Sequence, residues 1–336
     1  MSDSGNQNVI QVSGLRKLFP VRVGGLFRRQ EKFVHAVDDI ELTVGKAEVL
    51  AVVGESGCGK STLALTLMGL EKPTEGSIQI NGQEITVLNG KEMRLVRRHI
   101  QMIFQDPYES LNPIMNIGEI VAESLQVHRI ESDKAAQRER VIGALEDAGL
   151  KPAANFLNRL PHELSGGQRQ RVVIAGALVL EPDVLIADEP VSMLDVSIRA
   201  EILNLLLELR DRRGISILMI THDLGTVGYI ADRIAVMYLG RIVEVGPTLS
   251  ILQQPQHPYT KALLSVVPVP NPRQRRERII LQGETPNPID LPSGCRFHPR
   301  CPIAQPRCQE IDPQLRLVPA GHEVACLEVE PKVGRA

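Results

Sequence analysis

Several features on which common classes of protein depend are scarce in this chain of 336 residues. Aromatic residues make up 3% of it and tryptophan is absent, which disfavours a surface on which single-stranded nucleic acid would stack. Acidic and basic residues nearly balance, with a net charge of -2, which argues against nucleic-acid binding through bulk positive charge. The composition therefore disfavours the simple modes of nucleic-acid binding.

Long apolar runs are also lacking. The longest candidate, Val172–Leu180, has nine residues and contains Gly176, whereas a membrane-spanning helix needs about 20. Residues 1–9 show neither the charged region nor the apolar region of a secretory signal. The sequence predicts a globular cytosolic protein that does not itself cross a membrane.

Proline and cysteine are concentrated near the C-terminus. Fifteen of the 23 prolines lie between Pro247 and Pro331, and four of the five cysteines lie in the same stretch. Proline fixes φ and removes an amide donor, so we expect turns and extended segments there, with little long helix. The composition predicts a main domain that ends near residue 246 and a loop-rich extension, residues 247–336.

Short apolar segments alternate with helical patterns in the main domain. Three segments have the composition of strands buried on both faces of a parallel sheet: Val49–Val53, Val184–Ala187 and Ile215–Ile220. Apolar residues between Ile198 and Leu209 follow helical spacing, and Gly214 is suited to end that helix. The alternation predicts an α/β fold built on a parallel sheet.

Two further patterns indicate additional parts of the fold. The dipeptide Asn81-Gly82 is a strong hairpin signal and predicts a small antiparallel sheet beside the parallel one. The stretch from about Pro113 to Pro161 contains helical patterns and none of the strand-like runs. The expected domains are a core of residues 1–112 and 162–246, an inserted helical subdomain of residues 113–161, and the extension.

A glycine-rich loop follows the first buried strand and precedes an apolar helix. It matches the pattern G-x-x-x-x-G-K-[ST], and its members are Gly54, Glu55, Ser56, Gly57, Cys58, Gly59, Lys60, Ser61 and Thr62. The backbone amides of such a loop point at phosphate oxygens, assisted by the helix N-terminus. Lys60 would reach the β- and γ-phosphates, and the Ser61 hydroxyl would bind Mg²⁺. We interpret Cys58 as a small packing group, with a redox switch as the alternative.

An acidic motif ends the second apolar strand. Asp188 can hold Mg²⁺, and Glu189 can polarise an attacking water. Upstream, residues 164–168 read Leu-Ser-Gly-Gly-Gln. This segment, the glycine-rich loop and the local motifs that contain Gln105, Asp195 and His222 occur together in one chain. By these motifs the chain resembles the ABC transporter ATPase family over about residues 9–250. The resemblance implies a P-loop ABC ATPase core.

That resemblance implies a role for each motif. ATP and Mg²⁺ would be bound at the loop, with Mg²⁺ held by Ser61, Asp188 and Gln105. Gln105 would also sense the γ-phosphate, Glu189 would be the general base, and His222 would orient or stabilise the γ-phosphate.

It also implies an adenine contact and a dimer. Phe19 would stack on adenine because it ends the first strand-like segment, and Phe33 is the alternative. Two cassettes would sandwich two ATP molecules, since one surface cannot hold the loop and the signature face to face. Asp195 would couple the two sites. The residues that would grip the γ-phosphate bound by the opposing cassette are Ser165, Gly166, Gly167 and Gln168.

Two positions depart from the family pattern. Met193 replaces the small residue usual before Leu194-Asp195, and Gly176 stands where an arginine is usual in the helix after the signature. A glycine within a helix costs about 1 kcal/mol relative to alanine, so we expect a neighbouring packing change to tolerate it. Neither position touches phosphate or Mg²⁺, and the site is expected to be active.

Other segments narrow the resemblance to ATPases of oligopeptide/dipeptide importers. The long segment Pro20–Lys32 looks like that of the second of the paired ATPases in such importers. The other segments are residues 53–61, residues 105–113, Met237-Tyr-Leu-Gly240, His257-Pro-Tyr-Thr260 and the stretch of residues 294–302. This implies a heterodimer with a sibling ATPase, two membrane permeases and an external substrate-binding protein. The chain would be peripheral, at the cytoplasmic face of the inner membrane.

Two alternatives remain open. In the first alternative, the chain has the same ATPase role, but the transported cargo is a nickel chelate or a sugar instead of a peptide. A rival class is a soluble mechanical ATPase acting on DNA or ribosomes, for which the basic clusters Arg94–His99 and Arg273–Arg278 would be cited. Net charge and the lack of interleaved aromatic residues favour solvated surfaces at both clusters.

The four cysteines of the extension are Cys295, Cys301, Cys308 and Cys326. A reducing cytosol disfavours disulfides, and a small extension with a poor core favours a metal that stabilises it. Zinc usually shows closely paired cysteines, whereas four well-spaced thiolates near proline suit an iron–sulfur cluster. The resemblance implies a 4Fe–4S cluster, with zinc and four free thiols as alternatives.

Overall fold

The computed structural model describes residues 8–23, 30–267 and 278–331. Its strands are β1 (Asn8–Val23), β2 (Gln30–Gly45), β3 (Val49–Val53), β4 (Glu75–Ile80), β5 (Gln83–Glu84), β6 (Ile100–Ile103), β7 (Val184–Asp188), β8 (Ser216–Thr221), β9 (Arg233–Tyr238), β10 (Arg241–Pro247), β11 (Arg316–Leu317) and β12 (Glu323–Val324). Its helices are α1 (Lys60–Leu67), α2 (Gly90–Val96), α3 (Pro107–Ser110), α4 (Ile117–His128), α5 (Lys134–Asp147), α6 (Gly166–Leu178), α7 (Val196–Arg213), α8 (Leu224–Ile230), α9 (Thr248–Gln253) and α10 (Pro258–Ser265). Two segments discussed above lie partly outside the described residues. These are positions 24–29 of the segment Pro20–Lys32, and all residues of the basic cluster Arg273–Arg278 except Arg278.

The described residues divide into two compact units. The first comprises residues 8–10, 44–49 and 79–219, and the second comprises residues 11–23, 30–43, 50–78, 220–267 and 278–331. The acidic motif and the signature lie in the first unit, whereas the glycine-rich loop and the cysteines lie in the second.

Buried parallel strands form the centre of the first unit. β6 pairs in parallel with β7, with Ile100 opposite Val184 and Ile103 opposite Ala187, and β7 is also the neighbour of β8. Every residue of β7 is buried, as is expected for a strand covered on both faces. The predicted strands at 184–187 and 215–220 are confirmed: the first is one residue longer than predicted, and the second is shifted by one residue.

Local signals end the helix and the hairpin of this unit where the sequence predicts. Gly214 follows α7 with a φ of 67°, a left-handed conformation that glycine adopts without strain. Asn81 and Gly82 both have positive φ, 50° and 76°, and connect β4 to β5 as an antiparallel hairpin. Both turns thus follow from the backbone preferences of these residues.

The stretch 113–161 is helical, as predicted. Its two helices, α4 and α5, both pack against α6. Asn116 begins α4 with a capping box, and the side chain of Asp133 caps α5. These caps explain where the helices start; the boundaries of a separate subdomain stay a prediction.

The second unit contains the strand that leads into the glycine-rich loop. β3 pairs in parallel with β9, with Leu50 opposite Arg233 and Val53 opposite Val236. β9 pairs with β10, β10 with β12 and β12 with β11, all antiparallel. The predicted strand Val49–Val53 is confirmed residue for residue. The mixed pairing of parallel and antiparallel strands with helices is the predicted α/β fold class.

Turns and short elements dominate the extension, where the longest described helix, α10, has eight residues. A buried ion pair joins the extension to β2, because Arg296 donates to the carboxylate of Asp38. Arg296 also donates to the Leu239 carbonyl over 2.6 Å. The side chains of His322 and Glu244 are both fully buried, and His322 Nε2 lies at hydrogen-bond distance, 2.7 Å, from Glu244 Oε1. None of the described helices is long and apolar enough to cross a membrane.

Candidate functional site

The glycine-rich loop is shaped by glycines that other residues cannot replace. Gly57 and Gly59 have φ values of 78° and 107°, in the region that favours glycine. A Cβ at Gly54 would overlap the carbonyl oxygen of Met237, and one at Gly59 would overlap that of Ala36. The curled backbone between β3 and α1 therefore depends on these residues.

The ammonium group of Lys60 lies within the curl of this loop. Its Nζ donates to the carbonyl oxygens of Gly54 and Glu55, both over 2.9 Å, and lies 3.7 Å from the Cys58 sulfur. Gly59, which begins α1, has no side chain to cap the helix, so amides of the first turn suit an anion. Ser61 is exposed beside them. The geometry fits a phosphate and Mg²⁺ site.

Cys58 is buried, with 3% of its surface exposed. Burial raises the pKa of its thiol, and the nearby charge of Lys60 opposes this effect without cancelling it. Since the thiolate is the reactive form, the structure favours packing over redox chemistry at this position.

The acidic motif lies in the first unit, where β6 and β7 end side by side. Asp188 is buried at the last position of β7, and Glu189 follows in a half-buried position. The amide Nε2 of Gln105 donates to Glu189 Oε2 over 3.1 Å. Glu189 has a φ of 47°, which is uncommon for a residue with a side chain. The structure thus brings together two of the predicted catalytic residues.

Ser165 caps the start of α6. Its Oγ accepts a hydrogen bond from the Gln168 amide over 3.3 Å, and Gln168 Oε1 accepts from the Ser165 amide over 3.0 Å. This capping box begins α6 because the first amides of a helix need acceptors. The hydroxyl proton remains available as a donor, so the cap does not exclude a phosphate contact.

Close packing explains one of the two signature glycines. A Cβ at Gly167 would lie 2.6 Å from the Ile198 side chain on α7, whereas one at Gly166 would meet nothing nearer than 3.5 Å. Asp195, which begins α7, is exposed and does not cap that helix with its side chain.

His222 and Phe19 lie in the second unit. His222 is exposed and directly follows β8. Phe19 is half-buried, with the ammonium of Lys17 at 4.6 Å from its ring centroid. Phe19 lies inside β1 rather than at its end, so the positional argument that preferred it over Phe33 is wrong. Phe33, on β2, is 42% exposed, and the adenine contact stays a prediction.

Gly176 corrects another expectation. No neighbouring side chain lies within 4 Å of the place where its Cβ would stand. We expected a change in the neighbouring packing to accommodate this glycine. Around Gly176, which lies among the described residues, the space is instead empty.

The four cysteines of the extension lie close to one another. The Cys295 amide donates to the Cys308 carbonyl over 2.9 Å. Burial raises the pKa of the thiols of Cys295, Cys301 and Cys326, and neighbouring cysteines raise each of them further. Among the described residues, no three His, Cys, Asp or Glu side chains converge closely enough to hold a single metal ion. The arrangement does not fit a single zinc ion, and the 4Fe–4S cluster stays a prediction.

Nothing in the sequence indicated that Glu55 has a role beyond its position in the glycine-rich loop. Its side chain and its amide are bonded to residues that follow it by more than 200 positions, among them Tyr259 and Arg300. Both partners belong to segments that carried the narrower resemblance, but nothing in their spacing indicates which residue they contact.

Comparison with known protein families agrees with the fold and the motifs. Residues 37–192 match the ABC transporter family, and residues 243–308 match the family of the oligopeptide/dipeptide transporter C-terminal region. The chain therefore belongs to the ATP-binding proteins of ABC transporters, which are ATPases coupled to transport. It carries in addition the C-terminal region of the oligopeptide/dipeptide group.

Individual relatives agree over nearly the full length. The dipeptide transport ATP-binding protein DppF of Haemophilus influenzae is 47% identical over 97% of this chain and 98% of its own. The oligopeptide transport ATP-binding protein OppF of Escherichia coli is likewise 47% identical, over 97% of this chain and 98% of its own. A solved dimeric structure of the ATP-binding cassette MJ0796 with ADP and Pi superposes with a TM-score of 0.62 at 28% identity, covering 71% of this chain and 98% of that one.

Proposed function

We propose that this chain hydrolyses ATP to power the import of di- or oligopeptides through a separate membrane permease. The observation that carries the catalytic part is the contact of Gln105 with Glu189 at the ends of two parallel strands. The cargo rests on the matched C-terminal region and on the names of the relatives. A nickel chelate or a sugar is the alternative cargo.

ATP binding would begin at the glycine-rich loop. Lys60 would exchange its two carbonyl acceptors for the β- and γ-phosphates, and the loop and first-turn amides would donate to phosphate oxygens. Eight residues would contact the nucleotide or its metal: Gly54, Ser56, Gly57, Cys58, Gly59, Lys60, Ser61 and Thr62.

Hydrolysis would then depend on the acidic motif. Ser61, Asp188 and Gln105 would hold Mg²⁺, which when bound offsets the charge on the phosphates. Glu189 would accept the proton of the attacking water, and its contact with Gln105 keeps the carboxylate oriented. His222 would hold the γ-phosphate in line for attack.

The signature would act on a neighbouring cassette. The Ser165 hydroxyl would donate a hydrogen bond to that cassette's γ-phosphate while its oxygen still caps α6. Gly166, Gly167 and Gln168 would add contacts through their amides. Asp195 would couple the two sites, and the dimeric form of MJ0796 supports a sandwich. We propose a sibling ATPase as the partner.

The remaining partners follow from the same proposal. Two permeases would span the membrane, an external protein would bind the peptide, and this chain would be peripheral at the cytoplasmic face of the inner membrane. The test is co-purification from detergent-solubilised membranes with both permeases, followed by ATPase assays. Turnover stimulated by peptide-loaded binding protein supports the proposal; stimulation by a nickel chelate or a sugar alone would replace the cargo, and recovery only with ribosomes would overturn the transport role.

We further propose that the four cysteines hold a 4Fe–4S cluster. The backbone contact between Cys295 and Cys308 and the effect of neighbouring cysteines on one another support it. Such a cluster would stabilise the end of the extension, where Val318, Val324 and Cys326 form a small apolar cluster of their own. Anaerobic purification, visible absorption and iron analysis test this. A colourless, iron-free protein with four titratable thiols would refute it.

A further inference from the structure

The carboxylate of Glu55 is held by the C-terminal extension. Arg300 donates to it twice, from Nη1 to Oε2 over 2.8 Å and from Nη2 to Oε1 over 3.2 Å. Thr285 adds a hydroxyl hydrogen bond to Oε2 over 2.9 Å. The Glu55 amide donates to the hydroxyl oxygen of Tyr259 over 2.8 Å. One residue of the phosphate loop therefore has four hydrogen bonds to the extension.

Arg300 is itself held in place. Its side chain is only 9% exposed, and its guanidinium lies 5.9 Å from the ring centroid of Tyr238. Tyr238 packs in turn against Tyr259 and Phe297, at centroid distances of 4.7 and 5.2 Å. A planar guanidinium restrained in this way suits a two-point contact with a carboxylate.

Glu55 is charged and lies within electrostatic reach of the phosphate site. Burial raises the pKa of its carboxyl, but hydrogen bonds from Arg300 and Thr285 and the charges of Arg300 and Lys60 outweigh burial, so the pKa lies below its ordinary value. The carbonyl oxygen of the same residue accepts from Lys60 Nζ over 2.9 Å. A negative charge here would repel ATP and compete for Lys60 unless another group neutralised it.

We propose that Arg300 is a positioning residue for ATP binding, because its guanidinium neutralises and fixes the Glu55 carboxylate beside the phosphate loop. The extension thereby acts on nucleotide affinity although it lies far from the loop in sequence. The inference rests on the proposed placement of the ATP phosphates at Lys60. Arg300 directly precedes Cys301, so the fold of the cysteine-bearing segment determines where the guanidinium stands.

Titration of the full chain with a fluorescent ATP analogue tests the idea. Arg300→Ala is expected to weaken nucleotide binding about tenfold, because an uncompensated carboxylate then faces the phosphates. Adding Glu55→Gln to Arg300→Ala is expected to restore most of the affinity, since the repelling charge is gone. Arg300→Lys keeps the charge without the two-point contact and should be intermediate.

A matched control is Arg307→Ala, which removes another arginine of the extension, one that pairs with Glu328 over 2.7 Å. Its nucleotide affinity is expected to equal that of the parent chain. The defect of Arg300→Ala should also shrink at high salt, because screening weakens charge repulsion. Circular dichroism identifies any variant that fails to fold; if Arg300→Ala does, the comparison is made between Arg300→Lys and Arg300→Lys with Glu55→Gln.

Two results would overturn the inference. One is parental affinity in Arg300→Ala. The other is a defect that neither Glu55→Gln nor high salt relieves, which would make Arg300 a purely structural residue. Lys60→Ala separates this inference from the proposed function: if Lys60→Ala binds nucleotide normally, the phosphate site itself is misplaced, whatever the Arg300 variants show.

Discussion

The side-chain amide of Gln105 donates to the carboxylate of Glu189 over 3.1 Å. Each residue lies just beyond a strand, Gln105 after β6 and Glu189 after β7, and those strands pair in parallel. Two groups that are 84 positions apart in the sequence therefore meet at one edge of the sheet. The contact orients the carboxylate that we assign as general base.

Glu189→Gln should abolish most turnover while nucleotide binding persists. The substitution keeps the size of the side chain and an acceptor for Gln105 but removes the base, and a general base contributes about 10²- to 10⁴-fold to rate. Steady-state ATPase assays and nucleotide titrations measure the two effects separately. Lys60→Ala is the contrasting variant, with weakened nucleotide binding. ATP hydrolysis at the parent rate in Glu189→Gln would show that another residue is the base.

Ser165→Arg should impair hydrolysis in the assembled dimer and leave nucleotide binding at the chain's own loop intact, because the signature acts on the opposing site. The substitution also removes the cap of α6, at a cost of about 1 kcal/mol. Asn116→Ala, which removes the cap of α4, controls for that loss and should retain hydrolysis. If Ser165→Arg instead abolished binding at its own loop, the sandwich arrangement would be wrong.

Gly176→Ala should stabilise the protein by roughly 0.5–1 kcal/mol, because alanine is the better helix former and the space beside Gly176 is open. Gly59→Ala makes the opposite case. Its φ of 107° and the overlap with the Ala36 carbonyl predict destabilisation of about 1–3 kcal/mol and loss of nucleotide binding. Denaturant unfolding compares both with the parent; a destabilised Gly176→Ala would indicate a constraint on α6 that its neighbours do not reveal.

Stability should fall as the pH drops below about 6.5, in part because of His257. Burial lowers the pKa of its imidazole to about 4; the charge of Glu244 opposes this shift, and Lys261 adds to it. Below the unfolded pKa the unfolded chain takes up a proton that the folded chain refuses, so up to about 3 kcal/mol is lost between pH 6.5 and pH 4. Above pH 6.5 this contribution to stability is fully present.

His257→Asn isolates the effect. The His257 Nδ1 accepts from the Tyr259 amide over 3.2 Å, and asparagine is also a good helix cap that does not titrate. Unfolding free energies measured from pH 4 to pH 7 should show a shallower slope in the variant, with the remaining slope coming from other titratable groups. Identical slopes in the two proteins would mean that His257 is not buried in neutral form.

The sequence by itself determined the elements whose cause is local. Val49–Val53 is a buried strand because its apolar run needs two covered faces, and Asn81-Gly82 turns the chain because both residues tolerate positive φ. The glycine-rich loop was predictable for the same reason, since its backbone conformation depends on adjacent residues. The cap formed by Ser165 is also local, since serine is a preferred residue at helix starts.

Only the tertiary structure decided which distant residues meet. Glu55 and Arg300 are 245 positions apart, and Asp38 and Arg296 are 258 apart, so no local spacing relates them. Several arginines and carboxylates have compatible chemistry, and their pairing depends on how the extension packs on the strands β2, β9 and β10 and on the loop. The same holds for the four cysteines, whose residue types suggest a metal but whose separations depend on the folded chain. Adjacent residues determine the local conformation of the backbone, whereas the pairing of distant residues results from the packing of the whole unit.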